Sequence, residues 1–313
     1  MKIFKKKTVK MSAQLIAQHR RGMFIPAAVL QPLTKDMNHA SKMNFFLQLL
    51  NEIEKWSLCS ISQFKVGICA VDERGNLYCG VNVEFPNTAI HTTIHAEQFL
   101  VSNVLNSGGN IVGLEHIFLK APPCGHCRQF LSETLGPELM ITVFHDGIYE
   151  TRELKNLIPF SFGPKDLGVN QSLLKPERDY AKCVAPEQLE EATKWASESE
   201  LRQTAVRLAS ERAFAPFTGV HEGCVLVCDD GEVCVGCSVE SAAFNPSLMA
   251  VQVALIDVYR KGKPLSFVRA AVIVAMRPPP ESAAKCPDYT EFAKLLLVSA
   301  TGIGSESIEV VSF

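Results

Sequence analysis

Four side chains that can bind a metal and move protons fall into two short runs of this 313-residue chain. His95 and Glu97 are two residues apart, and Cys124 and Cys127 follow after a gap of helical length. One imidazole and two thiolates can hold a zinc ion and leave its fourth position open to water. That arrangement is typical of catalytic zinc and not of structural zinc. Glu97 then remains free of the metal and can carry a proton.

Both runs are predicted to lie where the chain enters a helix. Apolar runs and turn residues predict one or two helices over 33–56 and a β-hairpin with strands over 66–71 and 77–83. Helices over 95–106 and 125–135 alternate with strands over 117–121 and 140–144. This alternation predicts an α/β fold in three layers, a mixed sheet between helices. The partial positive charge at a helix start favours Cys124 and Cys127 as thiolates, the form that binds metal.

The pattern of the first half is repeated in the second half. Gly67 and Gly80 are 13 positions apart, as are Gly223 and Gly236, and a glutamate follows each second glycine after four residues. We interpret this as an internal duplication. The second copy reads Met-Ala-Val-Gln over 249–252 where the first reads His-Ala-Glu-Gln, and no Pro-Cys-x-x-Cys run follows. The second copy is therefore predicted to be degenerate and without catalysis.

Composition changes along the chain predict four segments. Residues 1–32 form a leader, disordered in part, with five lysines over 2–10. Residues 33–158 form the catalytic domain, and 159–186 form a linker rich in proline, glycine and charge. Residues 187–313 form the degenerate domain.

Charge and cysteine content limit the partners and the compartment. The net charge of −2 gives no basic surface of the kind that nucleic-acid binding needs, and the apolar runs are too short to cross a bilayer. We therefore expect neither nucleic acid nor a membrane as a partner. Eleven cysteines without a secretory signal indicate reduced thiols in the cytoplasm. Cys228, Cys234 and Cys237 could form a second metal cluster, but buried strand positions are the favoured interpretation.

The signature H-x-E…P-C-x-x-C is typical of zinc deaminases that act on cytosine or adenine rings. Together with further motifs, the chain resembles the cytidine deaminases of the homodimeric, two-domain class. The resemblance extends from about residue 45 to the C-terminus and is carried by the runs Phe64–Gly67, Asn82–Pro86, His95–Gln98, Pro123–Phe130, Phe162–Leu167 and Ala242–Pro246.

The resemblance implies a role for each matching residue. His95, Cys124 and Cys127 match the Zn²⁺ ligands, and Glu97 matches the proton shuttle. The remaining matches concern the substrate: Asn82 and Glu84 for the ribose hydroxyls, and Phe64 and Ala96 for contact with the nucleoside. In this class the degenerate domain closes the active site of the other subunit, which implies a homodimer in which Ala243 and Phe244 lie near the partner's pyrimidine. Arg128, next to Cys127, is a candidate donor to the thiolates.

The implied activity is the hydrolytic deamination of cytidine and deoxycytidine in pyrimidine salvage, by a zinc-bound hydroxide with Glu97 as proton shuttle. Three alternatives stay open. The first is a polynucleotide deaminase acting on cytosine in RNA or DNA, which would need a strand-binding groove. The second is a non-catalytic protein that zinc stabilises for assembly. The third is a deaminase of adenine or guanine rings, since spacing does not report the shape of a pocket.

Overall fold

The computed structural model describes residues 2–109, 111–170, 184–278 and 288–313. The chain forms two compact units. Unit 1 consists of Met1–Glu84, Thr93–Ser161 and Arg260–Gly262, and unit 2 consists of Phe85–Thr92, Phe162–Tyr259 and Lys263–Phe313. Unit 2 therefore includes a segment that the chain contributes from within its first half.

Unit 1 is built on a mixed sheet in the order β1-β3-β2-β4-β5-β6. Only β4 and β5 are parallel, and every other neighbouring pair is antiparallel. The strands are β1 (Phe24–Ile25), β2 (Gly67–Asp72), β3 (Leu77–Val81), β4 (Leu114–Leu119), β5 (Met140–His145) and β6 (Ile148–Glu153). The mixed sheet is as predicted, although β1 and β6 were not anticipated.

Helices cover both faces of this sheet. They are α1 (Lys2–Gln18), α2 (Ala27–Thr34), α3 (His39–Ile53), α4 (Ala96–Asn106) and α5 (Gly125–Thr134). The end of α3 lies over Gly67, whereas α4 lies over Gly80, whose cross-strand partner is Ile68. Because neighbouring residues of a strand face opposite sides, α3 and α4 lie on opposite faces of the sheet. This is the predicted three-layer arrangement.

The N-terminal region differs from the predicted leader. Helix α1 lies within residues 1–32 and packs against α3, with Leu15 and Ile16 buried. Met23 and Ile25 are fully buried, and β1 adds a strand to the sheet by pairing with β3. The ordered part of unit 1 thus begins well before residue 33. The lysine-rich start conceals this, because few apolar residues reveal a helical period there.

Unit 2 repeats the central part of unit 1. Its sheet has the order β10-β9-β7-β8, which corresponds to β5-β4-β2-β3, and its parallel pair, β9 and β10, matches β4 and β5. Even the register shift between β2 and β4 recurs between β7 and β9. The elements are α6 (Pro186–Ala196), α7 (Glu200–Glu211), β7 (His221–Cys228), β8 (Val233–Cys237), α8 (Ala250–Arg260), β9 (Val268–Met276), α9 (Thr290–Thr301) and β10 (Ile308–Ser312). The predicted duplication is confirmed.

The repeated glycines mark places where a helix or its end touches the sheet. A Cβ atom at Gly80 would overlap the carbonyl oxygen of Ala96 in α4, and one at Gly236 would overlap that of Ala250 in α8. An added Cβ atom would also overlap backbone atoms at the other two glycines: those of Glu54 at Gly67, and those of α7 at Gly223. Only glycine permits these approaches, which explains why the spacing of 13 residues recurs in both copies.

Three further expectations concern the linker, the cysteines and the membrane. The predicted linker contains a short helical turn, Pro164–Leu167, and its residues 171–183 lie outside the described part of the chain. Cys228, Cys234 and Cys237 are buried on or at the ends of β7 and β8, as favoured. No helix in the described ranges combines the length and apolar character that crossing a bilayer requires.

Candidate zinc site

The three predicted metal ligands meet where two helices begin. His95 immediately precedes α4, and the side chain of Gln98 accepts a hydrogen bond of 3.0 Å from the His95 N–H, which fixes the start of the helix. Cys124 immediately precedes α5, and Cys127 lies in its first turn. The Nδ1 atom of His95 is 3.3 Å from Cys127 Sγ and 3.6 Å from Cys124 Sγ. All three ligand atoms lie within 4.8 Å of one another.

These distances suit a single zinc ion. Zinc–nitrogen and zinc–sulfur bonds of about 2.0 and 2.3 Å at tetrahedral angles place the ligand atoms roughly 3.5 Å apart. Cys127 is fully buried, whereas Cys124 is exposed. The cluster is therefore anchored in the core on one side and open on the other, as a site that admits a substrate must be.

One of the two thiols, Cys124, is electrostatically prepared for a metal, whereas the hydrogen bond to Cys124 and burial raise the pKa of Cys127. Hydrogen bonds from the Cys127 thiol and from His95 lower the pKa of Cys124 to about 3. In return, the hydrogen bond to Cys124 raises the pKa of His95. A thiolate and an imidazole are thus already paired, and zinc displaces the protons that they share.

Glu97 lies beside the ligands in the first turn of α4. Only 5% of its surface is exposed, and burial raises its pKa. Hydrogen bonds from its own backbone N–H and from Cys127 oppose that shift. A buried carboxyl group with a raised pKa, next to the metal ligands, is suited to accept a proton and to return it.

Arg128 fastens the ligand loop. Its Nε donates to the Pro123 carbonyl oxygen at 2.8 Å, and its Nη1 donates to the Leu157 carbonyl oxygen at 2.9 Å. These bonds go to backbone carbonyls and not to the thiolates, so the predicted contact to sulfur is replaced by an indirect one. Arg128 thus links the residue before Cys124 to Leu157, 29 positions further along the chain than Arg128.

The sequence did not reveal the role of His126. Its ring stacks on His95, with ring centres 4.7 Å apart and an angle of 19° between the planes. Its Nε2 is buried and has no hydrogen-bond partner among the described residues. His126 thereby helps to hold the orientation of the His95 imidazole ring. In the sequence, only its position between Cys124 and Cys127 indicated that it could lie near the metal.

Asn82 and Glu84 come directly after β3, which ends at Val81. Asn82 donates to the Phe64 carbonyl and accepts from the Val66 N–H, both at 2.9 Å. Glu84 accepts from the N–H groups of Ile61 and Ser62 at 2.7 and 2.9 Å, and from the Ser62 hydroxyl. Both side chains therefore hold the segment 61–66.

These contacts set the charge of Glu84. Burial alone would raise its pKa, but the hydrogen bonds from Ser62 and Ile61 outweigh burial and leave the pKa lowered. The carboxylate is therefore ionised at neutral pH. Ser62 was not singled out from the sequence, and only its position two residues before Phe64 pointed to it.

The other predicted substrate residues differ in exposure. Phe64 is 60% exposed, whereas Ala96 is buried between His95 and Glu97. Ala243 and Phe244 belong to unit 2, where Phe244 is 59% exposed and has a positive φ of 60°. An exposed phenylalanine held in an unfavourable backbone conformation is unusual and suits a contact with another molecule.

Comparison with known proteins decides the family. Two family models, both described as the cytidine and deoxycytidylate deaminase zinc-binding region, match residues 40–143 and 154–283. This chain belongs to the cytidine deaminase family. Cytidine deaminase 6 of Arabidopsis thaliana is 38% identical over 74% of this chain and 81% of its own length. The cytidine deaminase of Haemophilus influenzae is 34% identical over 83% of this chain and 81% of its own.

The two matches differ in what they contain. His95, Cys124 and Cys127 all fall in the match over 40–143, so this first copy carries the zinc site of the cytidine deaminase. The match over 154–283 has Met249 and Val251 at the places of His95 and Glu97. The second copy therefore belongs to the same family, and its described residues include no cluster of histidine, cysteine and carboxylate side chains spaced for a metal.

Proposed function

We propose that this enzyme adds water to cytidine and deoxycytidine and releases ammonia, with uridine and deoxyuridine as products. The observation that carries the proposal is the buried carboxyl group of Glu97 beside three ligands spaced for one zinc ion. Curated relatives at 33–38% identity that bear the name cytidine deaminase support the substrate class.

Zinc, when bound, makes a water molecule nucleophilic near neutral pH. His95, Cys124 and Cys127 hold the ion. Glu97 takes one proton from the attacking water, whose oxygen bonds to C4 of the ring, and delivers that proton to N3. As the bond from C4 to the amino nitrogen breaks, Glu97 passes the second proton of the water to the departing nitrogen. The balance is one water consumed and one ammonia released.

Asn82 and Glu84 are proposed to bind the ribose hydroxyls. They lie on the same side of the chain beyond β3, and a carboxylate beside an amide suits a diol. The ionised Glu84 disfavours a phosphate on a neighbouring sugar oxygen, which favours nucleosides over nucleotides. Phe64 packs against the nucleoside, and Ala96 lines the base between the imidazole and the carboxyl group.

The assembly proposed is a homodimer, in which Ala243 and Phe244 of one chain approach the pyrimidine bound to the other. Exposed apolar side chains support an interface: Phe64, Phe244 and Ile90 are 60%, 59% and 75% exposed. Catalysis is assigned to the domain 33–158, and 187–313 serves assembly. The described cysteines are free thiols, which suits pyrimidine salvage in the cytoplasm.

The test is cytidine turnover followed by ultraviolet absorbance, with bound zinc quantified in parallel. The parent should turn over, and Glu97→Gln should keep about one zinc per chain and lose about 10²–10⁴-fold in kcat. Glu115→Gln, on an exposed position of β4, is the matched control. Unchanged turnover in Glu97→Gln contradicts the proposed shuttle. Zinc without any cytidine turnover in the parent moves the assignment to polynucleotide or purine substrates, or to a structural role.

A further inference from the structure

Unit 2 contains an open cavity of about 400 Å³ to which the proposed reaction assigns no role. This volume is in the range of small-molecule sites. Every residue that lines it belongs to unit 2. Its wall combines carboxyl groups, a hydroxyl and aromatic rings, among them Glu222, Ser238, Glu240, Met249, Tyr289 and Phe292.

One end of the cavity copies the network around Glu84. Glu240 accepts from the N–H groups of Phe217 and Thr218 at 2.9 and 3.2 Å, and from the Thr218 hydroxyl. In unit 1, Glu84 accepts from Ile61, Ser62 and the Ser62 hydroxyl in the same order. The carboxylate that we assign to the sugar thus has a counterpart with the same set of donors.

Asn82, the partner of Glu84 in unit 1, corresponds to Ser238 in unit 2, and both side chains accept a hydrogen bond from a backbone N–H. Asn82 accepts from the Val66 N–H at 2.9 Å, and the Ser238 hydroxyl accepts from the Glu222 N–H at 3.1 Å. Ser238 and Glu240 both line the cavity. A hydroxyl group and a carboxylate that bind a diol together must both face the space that the diol occupies. The features that recognise a sugar are therefore kept in the degenerate copy.

The other end of the cavity has lost the means to react. Met249 lines the cavity at the place of His95, and the place of Glu97 is taken by Val251, whose side chain is apolar. Glu222 stands at the place of Val66, and burial raises its pKa to about 7. A carboxyl group that is partly protonated near neutral pH can donate as well as accept a hydrogen bond.

The described walls of the cavity offer no cationic side chain to an anion. Among the described residues that line the cavity, none is lysine or arginine, and three are acidic. Arg277 pairs with one of these, Asp288, at 2.8 Å, and burial raises the pKa of the other two, Glu222 and Glu240. Burial and the nearby Glu240 and Glu222 raise the pKa of Tyr289, so its hydroxyl stays protonated. Tyr289 and Phe292 supply flat apolar surfaces for an aromatic ring.

We propose that this cavity is a second, non-catalytic nucleoside site. The ribose diol binds Glu240 and Ser238, the uncharged base lies against Tyr289 and Phe292, and phosphorylated forms are excluded. The inference rests on the proposed role of Asn82 and Glu84 in binding the sugar. It goes beyond that role, because it assigns the degenerate copy a ligand of its own.

The segment Phe85–Thr92 forms part of the cavity wall. The Gln252 side chain donates to the Thr92 carbonyl at 2.9 Å, and the His91 ring stacks on Phe292 with centres 5.6 Å apart. In the chain, this segment lies directly between Glu84 and His95. A ligand in the cavity therefore contacts the stretch of chain that connects the proposed sugar-binding residue to the first zinc ligand.

The test counts bound cytidine in the Glu97→Gln protein, which should consume it about 10²–10⁴-fold more slowly than the parent. Equilibrium dialysis with cytidine should give two sites per chain in Glu97→Gln. Adding Glu240→Gln should weaken one site by at least tenfold and leave one. Adding Glu84→Gln instead should weaken the other. Cytidine 5′-monophosphate should not compete at the site that depends on Glu240.

Controls separate this inference from the proposed function. In the otherwise unaltered enzyme, Glu240→Gln should leave kcat and KM for cytidine unchanged. Glu222→Gln, which alters the cavity without touching the segment 217–218, provides a second variant if Glu240→Gln does not fold. One site per chain, lost only through Glu84→Gln, overturns the second site and leaves the deaminase assignment intact. Two sites without turnover in the parent overturn the deaminase assignment and leave the second site standing.

Discussion

The Nδ1 atom of His95 and the Sγ atom of Cys127 lie 3.3 Å apart, although 31 residues separate them in the chain. Each lies at the beginning of a helix, and α4 and α5 pack against each other. The pair is therefore set by the packing of two helices and not by a flexible loop. This rigidity favours a metal site that is formed before the metal binds.

Replacing Cys127 by serine should remove the metal and with it the activity. The thiolate supplies one of three ligands, and a serine hydroxyl does not deprotonate near neutral pH to replace it. We expect less than about one tenth of the zinc of the parent, measured by metal analysis after dialysis. Cys59→Ser, a buried cysteine outside the cluster, is the control. A Cys127→Ser protein with full zinc content would show that the cluster is not the metal site.

Arg128→Met should weaken zinc binding without removing a ligand. The methionine keeps the apolar stem but loses both hydrogen bonds to the carbonyls of Pro123 and Leu157. Residues that orient metal ligands typically contribute about 10–100-fold in affinity or activity, and we expect a loss in that range. Competition with a zinc chelator measures it. Arg152→Met, which removes only a solvent-exposed ion pair with Glu150, should leave zinc affinity unchanged.

Gly80→Ala should destabilise unit 1 and reduce activity together. The added Cβ overlaps the Ala96 carbonyl and lies 2.8 Å from the Leu100 nitrogen, so α4 must move away from the sheet. Overpacking of this kind costs about 1–3 kcal/mol in the free energy of unfolding, which urea denaturation measures. Because His95 and Glu97 begin α4, kcat should fall as well. Gly163→Ala, where an added Cβ meets nothing within 4 Å, should change neither quantity.

The stability of the protein should fall as the pH is lowered from about 6.5 to about 4, in part because of His116. Burial lowers the pKa of this histidine to about 4, and the nearby His39 adds to the effect. The unfolded chain, with a histidine pKa of about 6.5, then binds a proton that the folded chain does not bind. The free energy of unfolding falls through that window.

The His116→Gln variant tests this assignment by denaturation at several pH values. Its stability should fall less steeply than that of the parent between pH 6.5 and 4, since glutamine does not titrate. His145→Gln, at an exposed position, is the control. Parallel curves for His116→Gln and the parent would assign the pH dependence to other groups.

The sequence was most informative where chemistry restricts the residue type. A zinc site needs nitrogen and sulfur ligands, so His95, Cys124 and Cys127 stood out in the sequence. Close contact between a helix and the sheet needs glycine, so Gly67 and Gly80 stood out as well. The succession of hairpin, helix, strand, helix and strand along the chain followed from the apolar runs and the turn residues between them. Each of these features depends on a particular residue type at a particular spacing in the sequence.

What the sequence could not show depends on distant contacts. Strand β6 has mostly exposed side chains and no apolar alternation, so only pairing with β5 makes it a strand. Helix α1 owes its place to packing against α3, which a lysine-rich run does not reveal. The sequence around Arg128 did not predict its hydrogen bond to the Leu157 carbonyl oxygen, because the two residues are 29 positions apart in the chain. Tertiary packing decides all three.

The assignment of Phe85–Thr92 to unit 2 has a consequence for how the chain can be divided. A gene cut between residues 161 and 162 would yield a first product that carries this segment and a second that lacks it. The second product would miss the backbone carbonyl to which Gln252 donates and the ring that stacks on Phe292. Neither unit can therefore be released with all of its segments by a single cut of the chain.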